Sequence, residues 1–354
     1  MPDALKREVT HAAVELGFSR VGFARAERLD VESERLERWL AAGRHGQMSW
    51  LAESAAIRAD PRQPGMVPSA KTVIVLVTPY RRDERAVGPA PGRVAAYAVG
   101  RDYHNVVLKR ARKLARWLRA RGFVARGMTD AEPVFERAWA ARAGVGFIGK
   151  NCCLIVPGVG SHVVLATVLT SAELVPDEPV AERCGSCRLC LDACPTGAFV
   201  APRELDARAC ISYLTIETRS AVPEPLRAAM VDRIFGCDEC QDVCPFNRAD
   251  DAPEVQTRPF APDARWAAHD AASYLGMDDA DFARVAAGSP VRRAGREGMA
   301  RNAALVLGNV GGRVHLPVLR GAAASDPSPS VRDAASWAVV QIERRPPSGS
   351  EPGQ

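Results

Sequence analysis

Eight of the ten cysteines fall in two linked runs. The first is Cys184-x2-Cys187-x2-Cys190-x3-Cys194-Pro195; Cys210 follows alone, and then Cys237-x2-Cys240-x3-Cys244-Pro245. This spacing holds two 4Fe–4S clusters in a ferredoxin-type fold, and the cysteine before each proline ligates the other cluster. One cluster is therefore expected on Cys184, Cys187, Cys190 and Cys244, and the second on Cys194, Cys210, Cys237 and Cys240. Cys210 stands in for the first cysteine of the second run, so the long stretch before Cys237 reads as a helical insertion. The chemistry implied is one-electron transfer at low potential.

Zinc and disulfides fit less well. Paired CxxC units can hold zinc, but zinc needs neither the third cysteine of each run nor the closing Cys-Pro. A disulfide framework suits a small secreted domain. Cys152 and Cys153 stand apart in the apolar run Cys152-Cys153-Leu154-Ile155-Val156, where adjacent strand residues point to opposite faces and cannot chelate together. They read as buried structural thiols.

The elements that must position this chemistry can be read around it. A chain of 354 residues is expected to form two or three domains, and 47% hydrophobic with 25% charged residues is ordinary for a globular protein. Met1 to Gly17 has the pattern of an amphipathic helix with Leu5, Val9, Ala12, Ala13 and Leu16 on one face. It lacks the apolar core and cleavage site of a secretory signal, and no stretch is long enough to span a membrane. A cytoplasmic protein is expected. Residues 1–175 read as an α/β domain. Lys71–Thr78, Cys152–Val156 and Val163–Leu169 are its buried strands, and Glu32–Ala42, Tyr103–Arg121 and Ala131–Ala143 its helices. This alternation favours a sheet covered on both faces.

A Pro-containing linker, Val175 to Glu182, leads into the cysteine domain, 176–255. After the Asp/Pro-rich stretch Asp250 to Pro262 comes a helical region, 256–345. In it Arg301-Asn302-Ala303-Ala304-Leu305-Val306-Leu307 echoes Arg332-Asp333-Ala334-Ala335-Ser336-Trp337-Ala338, suggesting two HEAT-like units that cover each other. The tail, 346–354, reads as disordered.

Charge is uneven. Nine basic residues lie between Arg101 and Arg126 (Arg101, Lys109, Arg110, Arg112, Lys113, Arg116, Arg119, Arg121 and Arg126) against one acid, Asp102. On a helix Tyr103–Arg121 they would oppose a core face of Val107, Leu114, Trp117 and Leu118. Arg292, Arg293, Arg296 and Arg301 form a second group. Such stripes suit a polyanion, through counterion release; a solvated arginine-rich face is the alternative.

One further segment could do chemistry. Thr129-Asp130-Ala131-Glu132-Pro133-Val134-Phe135-Glu136-Arg137 precedes Ala143-Gly144-Val145-Gly146-Phe147-Ile148-Gly149-Lys150-Asn151. Asp130 at a helix start reads as an N-cap, accepting backbone N–H bonds. The glycines lie after a helix and before a strand, the reverse of a dinucleotide fingerprint, but glycine backbone can approach a flat cofactor closely.

Taken together, these segments resemble the epoxyqueuosine reductases. The resemblance is carried by Asp130, Pro133, Glu136-Arg137 and residues 143–151, and by Cys190-Leu191-Asp192-Ala193-Cys194-Pro195-Thr196-Gly197-Ala198. It continues through Cys210-Ile211-Ser212-Tyr213-Leu214-Thr215-Ile216-Glu217 and Gly236-Cys237-Asp238-Glu239-Cys240-Gln241-Asp242-Val243-Cys244-Pro245. Gly100-Arg101-Asp102-Tyr103-His104 and Arg301-Asn302 match more loosely.

The resemblance implies reduction of epoxyqueuosine at the tRNA wobble position, the last step of queuosine biosynthesis. It implies two 4Fe–4S clusters and a cobalamin without a lower protein ligand, in enzymes related to reductive dehalogenases. In keeping, the chain has no Asp-x-His-x-x-Gly motif to offer cobalt a histidine. By resemblance Asp130 is the proton donor, which needs a carboxyl kept protonated by an apolar, water-poor cavity; a capping role would lower its pKa instead. Arg58, Asp130, Ser212, Cys237 and Asp238 match positions lining the cobalamin pocket. Leu154 and Leu165 match further contacts, or are simply core. Arg58 could equally serve on the surface.

The basic stripes then gain a partner, the anticodon stem-loop, whose unstacked bases are what RNA-reading proteins recognise. A monomer is expected, fed by an electron donor the sequence does not identify. The competing expectations are a corrinoid reductase of a small molecule and a ferredoxin-like carrier with an RNA-binding appendage.

Overall fold

The computed structural model describes residues 2–80, 92–248, 258–264 and 269–346. The Asp/Pro-rich stretch expected from Asp250 falls largely, and the tail beyond Pro346 entirely, outside the described residues. The chain divides into two compact units. The first comprises Met1–Glu84, Gly100–Arg208 and Asp238–Ala261; the second comprises Arg85–Val99, Ala209–Cys237 and Pro262–Gln354.

The first unit is built on α1 (Pro2–Glu15), β1 (Arg20–Arg25), α2 (Asp30–Ala41), α3 (Ala55–Ala59), β2 (Thr72–Pro79), α4 (Tyr103–Arg119), β3 (Ala125–Met128), α5 (Glu136–Arg142) and β4 (Val163–Thr170). The sheet order is β1-β2-β4-β3 and every pairing is antiparallel, with Val21 opposite Leu76, Val77 opposite Leu165 and Met128 opposite Thr167. All eight residues of β2 are buried, as the unbroken apolar run demands of a strand covered on both faces.

One face carries α4, whose Val107, Leu114 and Leu118 are fully buried. It lies so close to β3 that a Cβ on Gly127 would come within 2.6 Å of the Ala111 carbonyl. The other face packs Val73, Val75, Val77, Leu165 and Leu169 against Trp139 and Ala140 of α5. Truncating one such buried leucine to alanine costs about 2–5 kcal/mol.

Two expected elements come out shorter. The helix expected from Ala131 begins at Glu136, because the chain bends through residues 130–133, with Asp130 left-handed and Pro133 disfavouring a helical residue before it. The strand expected over Cys152–Val156 reduces to Leu154–Ile155, paired with Phe147–Ile148. Cys152 sits before it at φ 65°, and both Cys152 and Cys153 are partly exposed rather than buried.

The second unit contains α6 (Ile211–Ile216), α7 (Gly295–Val310), α8 (Leu316–Ser325) and α9 (Pro329–Arg344). The two echoing segments lie on α7 and α9, and Ala303, Ala304, Leu307, Ala334, Ala335 and Ala338 are buried together between these helices. Contact is close at Gly308, where a Cβ would meet the Trp337 ring at 2.6 Å. No described helix is long and apolar enough to cross a membrane.

Candidate functional site

β3 ends at Met128, and the next two residues turn out of the sheet. Thr129 is buried and its Oγ1 donates to the Leu165 carbonyl on β4 at 2.6 Å, which fixes the exit. Asp130 then adopts φ 42°, in the left-handed region that aspartate tolerates better than most side chains but that still costs energy. Such conformations persist where surrounding contacts hold them.

Three contacts hold this one. The Asp130 backbone N–H donates to Glu136 Oε1 at 2.9 Å. The Tyr103 hydroxyl donates to Asp130 Oδ2 in a very short bond. His104 Nε2 lies 3.2 Å from the same oxygen.

Tyr103 and His104 open α4, whose N-cap is Asp102. That carboxylate accepts the His104 backbone N–H at 2.9 Å and faces His104 Nδ1 at 2.8 Å. Burial alone would lower the imidazole pKa, but hydrogen bonds to Asp102 and Asp130 outweigh it and lift the group to about 9. Burial also drives the Glu136 carboxyl up to about 8, with the Asp130 charge adding to it. At neutral pH the cluster therefore holds an imidazolium and a protonated Glu136.

This environment differs from the expectation in two respects. Asp130 caps no helix, since α5 starts at Glu136. Nor does the chain wrap it in an apolar cavity: its side chain is 56% exposed and ringed by polar donors. Arg58, on α3, is 8% exposed, which excludes the surface role. Its Nε donates to Ser54 Oγ at 2.9 Å and its guanidinium lies over the Trp50 ring at 5.2 Å. Burial lowers its pKa against the opposing charges of Asp130 and Glu136.

Leu154 and Leu165 are buried in one core cluster, so their side chains are packing and only their backbone could face a ligand. Asp238 is buried at 7% and its charge reaches Cys153. Of the residues matched to a corrin pocket, Arg58, Asp130, Leu154, Leu165 and Asp238 belong to the first unit, and Ser212 and Cys237 to the second. Contacts and charge effects link those in the first unit one to the next. Arg58 feels Asp130, Thr129 binds Leu165, Leu154 packs with Leu165, and Cys153 next to Leu154 feels Asp238. A separate cavity of about 390 Å³, lined by Glu32, Arg142, Phe147, Ile148, Val180 and Arg203, contains none of the residues matched to the pocket.

The first cysteine set is gathered. Burial, then the neighbouring thiols of Cys244, Cys184 and Cys187, push Cys190 up to about 11. A thiol raised in this way keeps its proton at neutral pH and gives it up when a metal ion binds. Lys150 Nζ ties the loop from beneath, donating to the carbonyls of Gly185 at 2.6 Å and Cys187 at 2.8 Å. In the second set, Cys194 Sγ accepts the Ala198 N–H at 3.3 Å, and Cys240 hydrogen-bonds Cys153 and accepts Asn151 Nδ2 at 3.0 Å through its carbonyl. Cys210 and Cys237 belong to the second unit, where Thr215 Oγ1 on α6 accepts the Gly236 N–H at 2.9 Å. All ten cysteines are free thiols.

The basic residues divide. Arg112, Lys113, Arg116 and Arg119 stand exposed on α4. Arg121 stacks on Trp117, and Arg126 pairs with Glu132 at 2.7 Å. In the second group Arg301 is 1% exposed, a correction to its expected surface role. It donates to the carbonyls of Leu214, Thr218 and Ser220 at 2.7–2.9 Å, closing the C-terminal end of α6. Arg296 is clamped on Asp326 by two bonds, and Arg293 pairs with Glu217 at 2.9 Å. Sequence reasoning missed the roles of Tyr103, His104 and Glu136. The signal available was the loose match at residues 100–104, with Asp102 two positions before His104.

Two family models match the chain: "4Fe-4S double cluster binding domain" over residues 183–247 and "Epoxyqueuosine reductase QueG, DUF1730" over residues 58–131. An epoxyqueuosine reductase of Gloeobacter violaceus is 41% identical over 310 residues, covering 86% of this chain and 96% of its own. That of Escherichia coli is 35% identical over 350 residues, covering 96% and 90%. Among solved structures, an epoxyqueuosine reductase with an epoxyqueuosine-modified tyrosine tRNA stem loop superposes with TM-score 0.88 at 31% identity, over 96% of this chain and 90% of that one. The Bacillus subtilis enzyme, captured with an aspartate-bearing catalytic loop swung out of the active site, superposes with TM-score 0.85 at 31% identity, over the same shares of each chain. The two-cluster cysteine domain, the matching fold and these identities lead to one conclusion: the chain belongs to the epoxyqueuosine reductase family and is an oxidoreductase.

Proposed function

We propose that this protein reduces epoxyqueuosine to queuosine at the wobble position of tRNA, with Asp130 as proton donor, two 4Fe–4S clusters as electron supply and a cobalamin at the reacting centre. The observation that carries the reading is Asp130 itself. It stands at the end of β3 in a left-handed turn, held by Glu136, Tyr103 and His104. Removing the epoxide oxygen as water consumes two electrons and two protons. Cobalamin, when bound, supplies a low-potential metal centre that can deliver electrons singly to a strained ring.

The chain's own residues bind, orient and protonate. Arg58, Leu154, Leu165, Ser212, Cys237 and Asp238 would hold the corrin, and Asp130 would protonate the departing oxygen. The first cluster is assigned to Cys184, Cys187, Cys190 and Cys244, the second to Cys194, Cys210, Cys237 and Cys240. Residues 1–175 are read as the catalytic domain, 176–255 as the ferredoxin-like domain and 256–345 as HEAT-like helices gripping the tRNA stem-loop. The exposed cations Arg112, Lys113, Arg116, Arg119 and Arg292 would face phosphates, and the enzyme would work as a cytoplasmic monomer. The test is direct: anaerobic protein loaded with cobalamin and a strong reductant is incubated with epoxyqueuosine-bearing stem-loop, and the nucleosides are weighed. A product lighter by one oxygen is expected; an unchanged nucleoside, with clusters and cobalamin bound, sends the assignment to small-molecule substrates.

A further inference from the structure

One carboxylic acid holds one proton, yet each turnover consumes two, so a second proton has to reach the site before the reaction is complete. The structure puts a proton source against it. His104 Nε2 is 3.2 Å from Asp130 Oδ2, and Nδ1 is 2.8 Å from Asp102 Oδ1. Asp102 is itself immobilised as the N-cap of α4. The Tyr103 ring stacks on the imidazole, with centroids 4.2 Å apart and planes 26° apart. These contacts fix the ring's orientation with one nitrogen aimed at each carboxylate.

We propose that His104, oriented by Asp102, is the positioning residue that recharges Asp130 with a proton within each turnover. This rests on the reading of Asp130 as the donor. The proton on Nε2 passes to Asp130 Oδ2 as Asp130 gives its own proton to the departing oxygen. Nδ1–H stays on Asp102, and His104, 34% exposed, takes a proton from water. No electrons move in this step. The charged groups facing the imidazole are Asp102 from the head of α4 and Asp130 from the turn after β3; Glu136 from α5 is a titratable neighbour, protonated at neutral pH, and Arg58 reaches Asp130 from α3. Their balance keeps the ring protonated up to about pH 9.

The test compares wild type, His104→Gln, Asp130→Ala and the double variant as holoenzymes, measuring kcat and KM for the stem-loop against pH. His104→Gln is expected to lose roughly tenfold or more in kcat, in the range of acid–base effects, with KM unchanged and partial rescue by added imidazole. Asp130→Ala should be inactive with or without imidazole, and the double variant should not be rescued. An NMR titration of the His104 ring in cluster-loaded protein, assigned through His104→Gln, should give a pKa near 9 that falls in Asp102→Asn. This readout does not depend on turnover. Wild-type kcat for His104→Gln at every pH, or an ordinary imidazole titration, would overturn the relay while leaving the donor reading in place. Full activity in Asp130→Ala would overturn the donor reading itself.

Discussion

Glu136 Oε1 accepts the backbone N–H of Asp130 at 2.9 Å, so the first residue of α5 clamps the turn that precedes it. The clamp is a carboxyl lifted to about 8, first by burial and then by the charge of Asp130. The folded state therefore keeps a proton that the unfolded chain releases near pH 4.5. Stability conferred by this group must fall as pH rises from about 4.5 to about 8 and then level off. Glu136→Gln keeps an oxygen for the Asp130 N–H and removes the titration. It is expected to raise the urea midpoint above pH 8 and to leave it unchanged at pH 4. A variant whose midpoint tracks wild type across this range would contradict the assignment.

Arg301 is a structural cation. Burial, then repulsion from Arg219, lowers it to about 10, and it donates to three carbonyl acceptors. Arg301→Met should cost roughly 3 kcal/mol or more, since each buried acceptor left unpaired costs about 1–3 kcal/mol. The loss is measured by urea unfolding. Normal stability with weakened tRNA binding would return Arg301 to the RNA-facing surface.

Lys150 bridges the Gly185 and Cys187 carbonyls and so shapes the loop that presents Cys184, Cys187 and Cys190. Cys190→Ser should remove about half the iron, because each cluster is ligated separately. Lys150→Met should move iron content after anaerobic reconstitution toward that level. Full iron in Lys150→Met would show that the loop is held without it.

Arg292 is exposed, whereas Arg293, Arg296 and Arg301 are engaged within the second unit. The charge reversal Arg292→Glu, alone or with Arg293→Glu, should weaken stem-loop binding. It should also lower the slope of log K against log salt by about 1 per lost phosphate contact. An unchanged slope would take this corner out of the footprint.

What was legible in the sequence followed from rigid constraints. Cluster geometry dictates cysteine spacing, so a domain for two 4Fe–4S clusters was legible from the two runs. The 3.6-residue period exposed α4 with Val107, Leu114 and Leu118 on its buried face, and β2 and β4 stood out as unbroken apolar runs. That the strands pair antiparallel was not legible, because alternation of helix and strand is silent about direction. Arg301 was misread because a buried arginine looks like a surface one until its carbonyl partners, more than eighty positions away, are known.

The surroundings of Asp130, expected as a helix start or as an apolar cavity, were not legible for a related reason. Its real neighbours, Tyr103 and His104, come from a different helix, and only folding brings them to it.

The most direct test of the account is a single-turnover comparison of wild type and Asp130→Ala. Both proteins would carry clusters and cobalamin, be reduced in advance, and be mixed with epoxyqueuosine-bearing tRNA before nucleoside mass analysis. The account predicts loss of one oxygen in wild type and none in Asp130→Ala, with equal tRNA binding by both. Equal conversion by the two proteins would contradict it and remove Asp130 from the chemistry.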